Sequence, residues 1–254
     1  MTNLLEVHDA RLAFGGLQAL GGLSLSVPRG SIVGLIGPNG AGKTTLFNSI
    51  SGLQRLDGGT VTFDDRDVTS LPAHERASRG IGRSFQHLGL MMEESVETNV
   101  LAAQYLGAGY RGVDLLLHPG RWLRRERELR TRATTALEAF TLTAERARPV
   151  QDLSFAAARF VELACVLVEA PALMLLDEPT TGLDVTEVHT LLAALERVRS
   201  NGTTILVIAH DVGFVMDLCD HVSVLAEGRV LAEGPPSEVQ NDPAVVDAYL
   251  GVPA

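Results

Sequence analysis

The residues Gly37-Pro38-Asn39-Gly40-Ala41-Gly42-Lys43-Thr44-Thr45 fit the pattern G-x-x-x-x-G-K-[ST], a loop that cradles nucleotide phosphates. Glycines in such a loop let backbone N–H groups turn inward without a Cβ clash. Those groups form an anion nest, and the start of a following helix adds its partial positive charge. Lys43 has the reach for β- and γ-phosphates, and Thr44 can set its hydroxyl on Mg2+. The flanks supply the context that the motif needs. Ile32-Val33-Gly34-Leu35-Ile36 reads as a short buried strand, and residues 43–50 read as a helix. A Gly-rich turn that merely opens a helix is the plainer alternative, and the Lys-Thr pair behind a strand argues against it.

Further polar groups stand where apolar runs end. Leu173-Met174-Leu175-Leu176 is continuously apolar, as in a parallel strand buried on both faces, and it runs into Asp177-Glu178. Carboxyl ends of such strands are where α/β sheets bind ligands. Asp177 suits the metal side of a nucleoside triphosphate, and Glu178 can orient a water for in-line attack on the γ-phosphate. Alternation along a strand would point the two carboxylates apart. Thr203-Thr204-Ile205-Leu206-Val207-Ile208-Ala209 is a second buried run, ending at His210-Asp211, where His210 can hydrogen-bond the γ-phosphate. Gln86, after Ile81-Gly82-Arg83-Ser84-Phe85, can touch Mg2+ or the attacking water; a solvated loop Gln is the duller reading. Phe14 suits either stacking on adenine or an ordinary core position. Taken singly, Asp177-Glu178 reads equally as a helix cap and His210 as structural. Their joint placement around one phosphate loop favours the chemical reading.

The elements that must hold these groups follow from patterning. Residues 1–30 read as antiparallel strands broken by Pro28-Arg29-Gly30, residues 58–63 as a turn and strand, and 73–79 as a short helix. From 87 to 150 the character turns helical, with arginines at 121, 124, 125, 127, 130 and 132 on one long helix over 121–140. Glu126, Glu128 and Glu138 interleave them, so a solvated face is preferred over a lipid or partner contact. Residues 156–169 and 185–199 are amphipathic helices, and Glu227-Gly228 turns a hairpin. With 46% hydrophobic residues, the 254-residue chain can bury a large core. Its net charge of −10 argues against bulk nucleic-acid binding. No apolar run reaches the roughly 18 residues of a membrane span, and the first residues do not read as a signal peptide. Cys165 and Cys219 are not spaced as a metal pair and read as buried free thiols of a reducing cytoplasm.

Over essentially its whole length the chain resembles the ATP-binding subunit of ATP-binding cassette (ABC) transporters. The resemblance is carried by Gly37-Pro38-Asn39-Gly40-Ala41-Gly42-Lys43-Thr44-Thr45 as Walker A, Gln86 as the Q-loop and Leu153-Ser154 as the start of the signature. Leu173-Met174-Leu175-Leu176-Asp177-Glu178 matches Walker B, Thr181-Gly182-Leu183-Asp184 the D-loop, and His210 the switch histidine. Phe14-Gly15-Gly16-Leu17-Gln18-Ala19-Leu20, Ser84-Phe85-Gln86-His87 and the ending around Asn241-Asp242-Pro243 look like the branched-chain amino acid importer group. The resemblance implies an α/β fold: a P-loop NTPase (RecA-like) core with an antiparallel β subdomain and an inserted α-helical subdomain. Residues 1–86 and 161–235 would form the core, 87–160 the helical subdomain and 236–254 a tail. It further implies ATP and Mg2+ as ligands, with Phe14 on adenine, Ser154 on the partner's nucleotide, Glu178 as catalytic base and His210 as switch. The expected partners are integral-membrane permeases and a second ATP-binding subunit in a head-to-tail dimer at the cytoplasmic face of the membrane, with no nucleic acid. An amino acid, an amide or urea is the expected cargo. A regulatory module with little turnover, or a soluble ABC ATPase of DNA repair or translation, is the alternative.

One motif departs from the family. The signature, Leu-Ser-aromatic-Gly-Gln in this group, reads Leu153-Ser154-Phe155-Ala156-Ala157 here. A Cβ at 156 crowds a close backbone approach to phosphate, and Ala157 lacks the amide. Ser154 and the helix start after it remain. Loss at this motif alone predicts a heterodimer with two unequal sites.

Overall fold

Two long strands open the chain: β1 (Asn3–Phe14) and β2 (Leu17–Pro28) form an antiparallel hairpin. The computed structural model describes residues 2–84, 89–105 and 119–250. After the hairpin come β3 (Ile32–Ile36), α1 (Lys43–Ile50), β4 (Gly58–Phe63), β5 (Arg66–Asp67), α2 (Ala73–Ser78) and β6 (Ile81–Arg83). A helical stretch holds α3 (Val96–Tyr105), α4 (Pro119–Ala139) and α5 (Phe155–Leu167). The chain then runs β7 (Leu173–Asp177), α6 (Val185–Ser200), β8 (Thr204–Ile208), α7 (Val212–Leu218), β9 (His221–Ala226) and β10 (Arg229–Gly234). Two short helices follow, α8 (Pro236–Val239) and α9 (Pro243–Leu250).

The strands make two sheets. A 4-stranded antiparallel sheet has the order β2-β1-β4-β5, and a 6-stranded sheet has the order β10-β9-β3-β8-β7-β6. Every pairing from β9 to β6 in the second sheet is parallel, and β10 alone joins antiparallel. All residues of β3, β7 and β8 are buried, as their unbroken apolar sequences require. In β1 the buried positions Leu5, Val7 and Leu12 are interleaved with exposed ones, which marks a sheet with one wet face. Leu5, Val7 and Leu25 share one core with Phe47 of α1 and with Leu173 and Leu206 of the parallel strands. The alternation expected of residues 1–30 is thus realised as full-length strands. Glu227 and Gly228 both have positive φ, 49° and 72°, and turn the tight β9–β10 hairpin.

The chain divides into two units. The first comprises Met1–Arg83, Ala172–Thr181 and Arg199–Ala254, and it contains both sheets. The second comprises Ser84–Pro171 and Gly182–Val198. Within the second unit α3, α4 and α5 pack on one another. The buried Gln104 amide donates to the Leu129 carbonyl at 3.0 Å, and the Phe140 and Phe160 rings lie 6.4 Å apart. Arg124–Glu128 and Arg130–Glu126 pair at i,i+4 on α4, the solvated face that the interleaved charges suggest. α6 opens on a capping box, in which Asp184 Oδ1 accepts from the Glu187 N–H and Glu187 Oε2 from the Asp184 N–H. Both cysteines are free; Cys219 is buried and Cys165 partly so. Burial pushes both thiols up to about 12, which leaves them unreactive.

The C-terminal end of α1 carries no cation of its own. Arg76 of α2, 3% exposed, supplies one: its Nη1 donates to the Ser49 and Ile50 carbonyls at 2.6 and 2.9 Å. Its remaining N–H groups go to the Leu71 and Thr69 carbonyls. One guanidinium thus satisfies orphan carbonyls at a helix end and answers that end's negative partial charge. Arg76→Met strips those carbonyls of their donor and is expected to lower the unfolding free energy by about 2–4 kcal/mol. The measurement is a urea midpoint at unchanged m-value; a shift under about 0.5 kcal/mol would mean that water replaces the guanidinium.

Candidate functional site

The parallel register sets the level at which each strand stops. Ile208 lies opposite both Leu35 of β3 and Asp177 of β7. The residues that follow these strands therefore emerge along one edge, at the carboxyl ends. They are the Gly37 loop after β3, Glu178 after β7 and His210 after β8.

The loop is closely held from behind. Gly37 has φ 146°, and a Cβ there would lie 2.1 Å from the Leu225 carbonyl oxygen, so no other residue fits. The Gly228 N–H, from the β9–β10 turn, donates to the Ala41 carbonyl at 3.1 Å. At Gly40 the space on the Cβ side is open, with nothing within 4 Å. Lys43 opens α1 and is 6% exposed, and its Nζ donates to the Gly37 and Pro38 carbonyls at 2.6 and 3.0 Å. Burial lowers the Lys43 pKa, while the charges of Glu178 and then Asp177 pull it back up. The ammonium thus sits in the field of both carboxylates.

Asp177, the last residue of β7, is 1% exposed. Its Oδ2 accepts from Nη2 of Arg83 at 3.3 Å. Glu178 lies beyond the strand end, with φ 49°. Strand alternation therefore does not separate the two carboxylates; the left-handed turn of the backbone does, at a cost of about 1–3 kcal/mol for a non-glycine residue. The Glu178 N–H is held by the Ile208 carbonyl at 2.9 Å. Its carboxylate accepts from His210 Nε2 at 2.9 Å through Oε1 and from the Thr181 hydroxyl at 3.3 Å through Oε2. Half of the His210 side chain is exposed, and Asp211 beside it caps α7 through the Phe214 N–H.

These donors suit a nucleotide with a hard cation. Thr44 presents a hydroxyl in the first turn of α1 and Asp177 a carboxylate, both oxygen ligands of the kind Mg2+ takes. Among the described residues no group of three or more His, Cys, Asp or Glu could cage a metal alone.

The other expected residues fall elsewhere. Phe14, 49% exposed at the tip of the β1–β2 hairpin, is not a core residue. Gln86 lies outside the described residues. Ser154 belongs to the second unit, where its hydroxyl caps α5 by accepting from the Ala157 N–H at 3.2 Å. Ala156 and Ala158 are buried, and the exposed Phe155 ring lies against Gly182 so closely that a Cβ there would be 2.7 Å from Cε1. Sequence patterning did not single out Arg83 or the Gly228 N–H. Only a polar residue ending a short apolar strand, and a Gly in a turn, were available as signals.

Comparison with known proteins accords with this geometry. Residues 20–181 match the family model described as ABC transporter, and residues 229–254 match that of the branched-chain amino acid ATP-binding cassette transporter. The chain is 39% identical over 249 residues to the high-affinity branched-chain amino acid transport ATP-binding protein LivG of Salmonella typhimurium, covering 98% of each chain. It is 36% identical over 249 residues to its counterpart BraF of Pseudomonas aeruginosa, again over 98% of each. The crystal structure of the ADP conformation of MJ1267, an ATP-binding cassette of an ABC transporter, superposes with a TM-score of 0.87 at 31% identity, over 99% of this chain and 100% of that one. With its phosphate loop, its Asp177-Glu178 pair at the end of a buried strand and His210 just past the next strand in sequence, the chain belongs to the ATP-binding cassettes of ABC transporters, a family of transport ATPases, and within it to the branched-chain amino acid type.

Proposed function

We propose that this chain hydrolyses ATP to drive an importer of branched-chain or related small amino-acid-type solutes, amides and urea included. Its place is the cytoplasmic face of the membrane, docked on integral-membrane permeases. The observation that carries the reading is the Glu178–His210 pair, 2.9 Å apart on the edge where the phosphate loop opens. The names of the relatives support the cargo class and the permease partners. Among the described residues no helix is long and apolar enough to cross a membrane, so the contact with the bilayer is assigned to partner chains. Residues 1–86 and 161–235 serve as the catalytic core in this reading, 87–160 as the docking helical subdomain and 236–254 as the tail.

The chemistry asks for position and charge more than for covalent steps. The N–H groups of residues 37–45 and Lys43 take the β- and γ-phosphates. Phe14 offers an exposed ring to the adenine, and Gln86 is assigned, on the family resemblance alone, to Mg2+ or the attacking water. Mg2+, held by the Thr44 hydroxyl and Asp177, would neutralise charge on the phosphates. Glu178 orients the attacking water as general base, with His210 keeping the carboxylate in place and sensing the γ-phosphate.

The working form is a head-to-tail heterodimer with unequal sites. Ser154 and the start of α5 still offer an anion contact, but Ala156 brings a Cβ and Ala157 no amide. The site completed by this chain's own Walker A and the partner's signature carries the turnover. In the assembled complex, Glu178→Gln is expected to lower ATP hydrolysis by about 10²–10⁴-fold, while the same change at the partner's base leaves most of it. The opposite pattern in a coupled ATPase assay reverses the assignment. Lys43→Ala is expected to abolish ATP binding in isothermal titration calorimetry; unchanged affinity would leave the phosphate loop without a role. Co-purification with permease subunits from membranes tests the docking.

A further inference from the structure

Arg83 joins the end of α1 to Asp177. It is the last residue of β6, and its side chain is 9% exposed. Its Nη1 donates to Asn48 Oδ1 at 2.7 Å and to Ser51 Oγ at 3.0 Å, both at the end of α1. Its guanidinium carbon lies 5.8 Å from the centroid of the Phe47 ring. Its Nη2 reaches Asp177 Oδ2 at 3.3 Å. Burial works against the charge of the guanidinium, and Asp177 restores it. A planar fork held at one side by short hydrogen bonds can direct its other side. Nη1 is the short, anchored side, and Nη2 is the long contact to the carboxylate.

The contrast with Arg76 is informative. Arg76 spends its donors on backbone carbonyls alone, as a capping residue does. The hydrogen bonds of Arg83 described above run between side chains, from Asn48 and Ser51 at the end of α1 to the buried Asp177 carboxylate.

We propose that Arg83 is a positioning residue for divalent-cation binding: anchored on Asn48 and Ser51, it holds the Asp177 carboxylate in place before the cation arrives with the nucleotide. The role rests on the reading of Asp177 as the metal-side ligand. Lysine in its place keeps the charge but not the fork, so it restores the function only in part.

The test is Mn2+ uptake by the full-length protein in the presence of ATP, followed by electron paramagnetic resonance, with metal-free ATP affinity measured in parallel in EDTA. Arg83→Met is expected to raise the apparent Mn2+ dissociation constant at least tenfold while metal-free ATP affinity changes less than threefold. Arg83→Lys is expected to fall between the two. Asn48→Ala removes the tightest anchor and retains the guanidinium, and it is expected to weaken Mn2+ about threefold. It also decides the matter if Arg83→Met does not fold. Mn2+ affinity that is unchanged or tighter in Arg83→Met, or unchanged in Asn48→Ala when Arg83→Met does not fold, overturns the proposal. Equal losses of ATP and Mn2+ affinity do so too, because they would make Arg83 a purely structural support of α1. If the unaltered protein takes up no Mn2+ with ATP, the metal reading of Asp177 fails first, and the role of Arg83 falls with it.

Discussion

A parallel sheet buried on both faces has no room for charge except where its strands end. That constraint governs the whole site. β3 and the runs Leu173–Leu176 of β7 and Ile205–Ile208 of β8 carry no polar side chain, so polar residues leave the interior past Ile36, Leu176 and Ile208. The register brings these exits level. The phosphate loop, the two carboxylates and the histidine come from parts of the sequence far apart, and the sheet alone makes them neighbours. The antiparallel sheet and the β9–β10 turn brace this edge from behind, through the shared core and through the hydrogen bond from Gly228 to Ala41.

The limits of α1, the buried strands and the 227–228 hairpin were legible in the sequence because each is written in local chemistry. Glycines mark turns, and continuous apolar residues mark strands with two dry faces. The phosphate loop was legible for the same reason, and residues 43–50 form the helix over the span its motif indicates. Asp177, Glu178 and His210 could be placed at strand ends from the same runs. What the sequence did not carry was the partner of each polar group. Arg83 reads as an ordinary residue within a strand running to Gln86, and Ser51, Asn48 and Asp177 lie 32, 35 and 94 residues away from it. The orientation of Glu178 was assigned to strand alternation, yet it arises from a left-handed residue that periodicity does not register. Phe14 was open between core and surface because a hairpin tip and a buried strand share the same short aromatic pattern; its exposure decides for the surface.

The altered signature is the one place where this chain and its family pattern disagree, and the local structure absorbs the change without damage. Three consecutive alanines are good helix formers, and α5 starts cleanly on the Ser154 cap. The buried Arg159–Glu162 pair, at 2.5 Å, ties the first turns of the helix together. Stability of the second unit therefore gives no reason to restore the missing residues. The cost of the change falls on ligand binding, where a helix start without its polar side chain remains.

The left-handed backbone at Glu178 ties stability to activity. A glutamate at φ 49° is strained, and the hydrogen bond between its carboxylate and His210 and that from its N–H to the Ile208 carbonyl hold it there. Asparagine tolerates that conformation better than most residues, and glycine adopts it freely. Either would relax the loop and remove the carboxylate at once. Mutational drift toward a more stable fold at this position is therefore drift toward an inactive one. In the proposed reading of Glu178 as general base, the strain at this turn is therefore tied to the site's chemistry and not to the packing of the sheet.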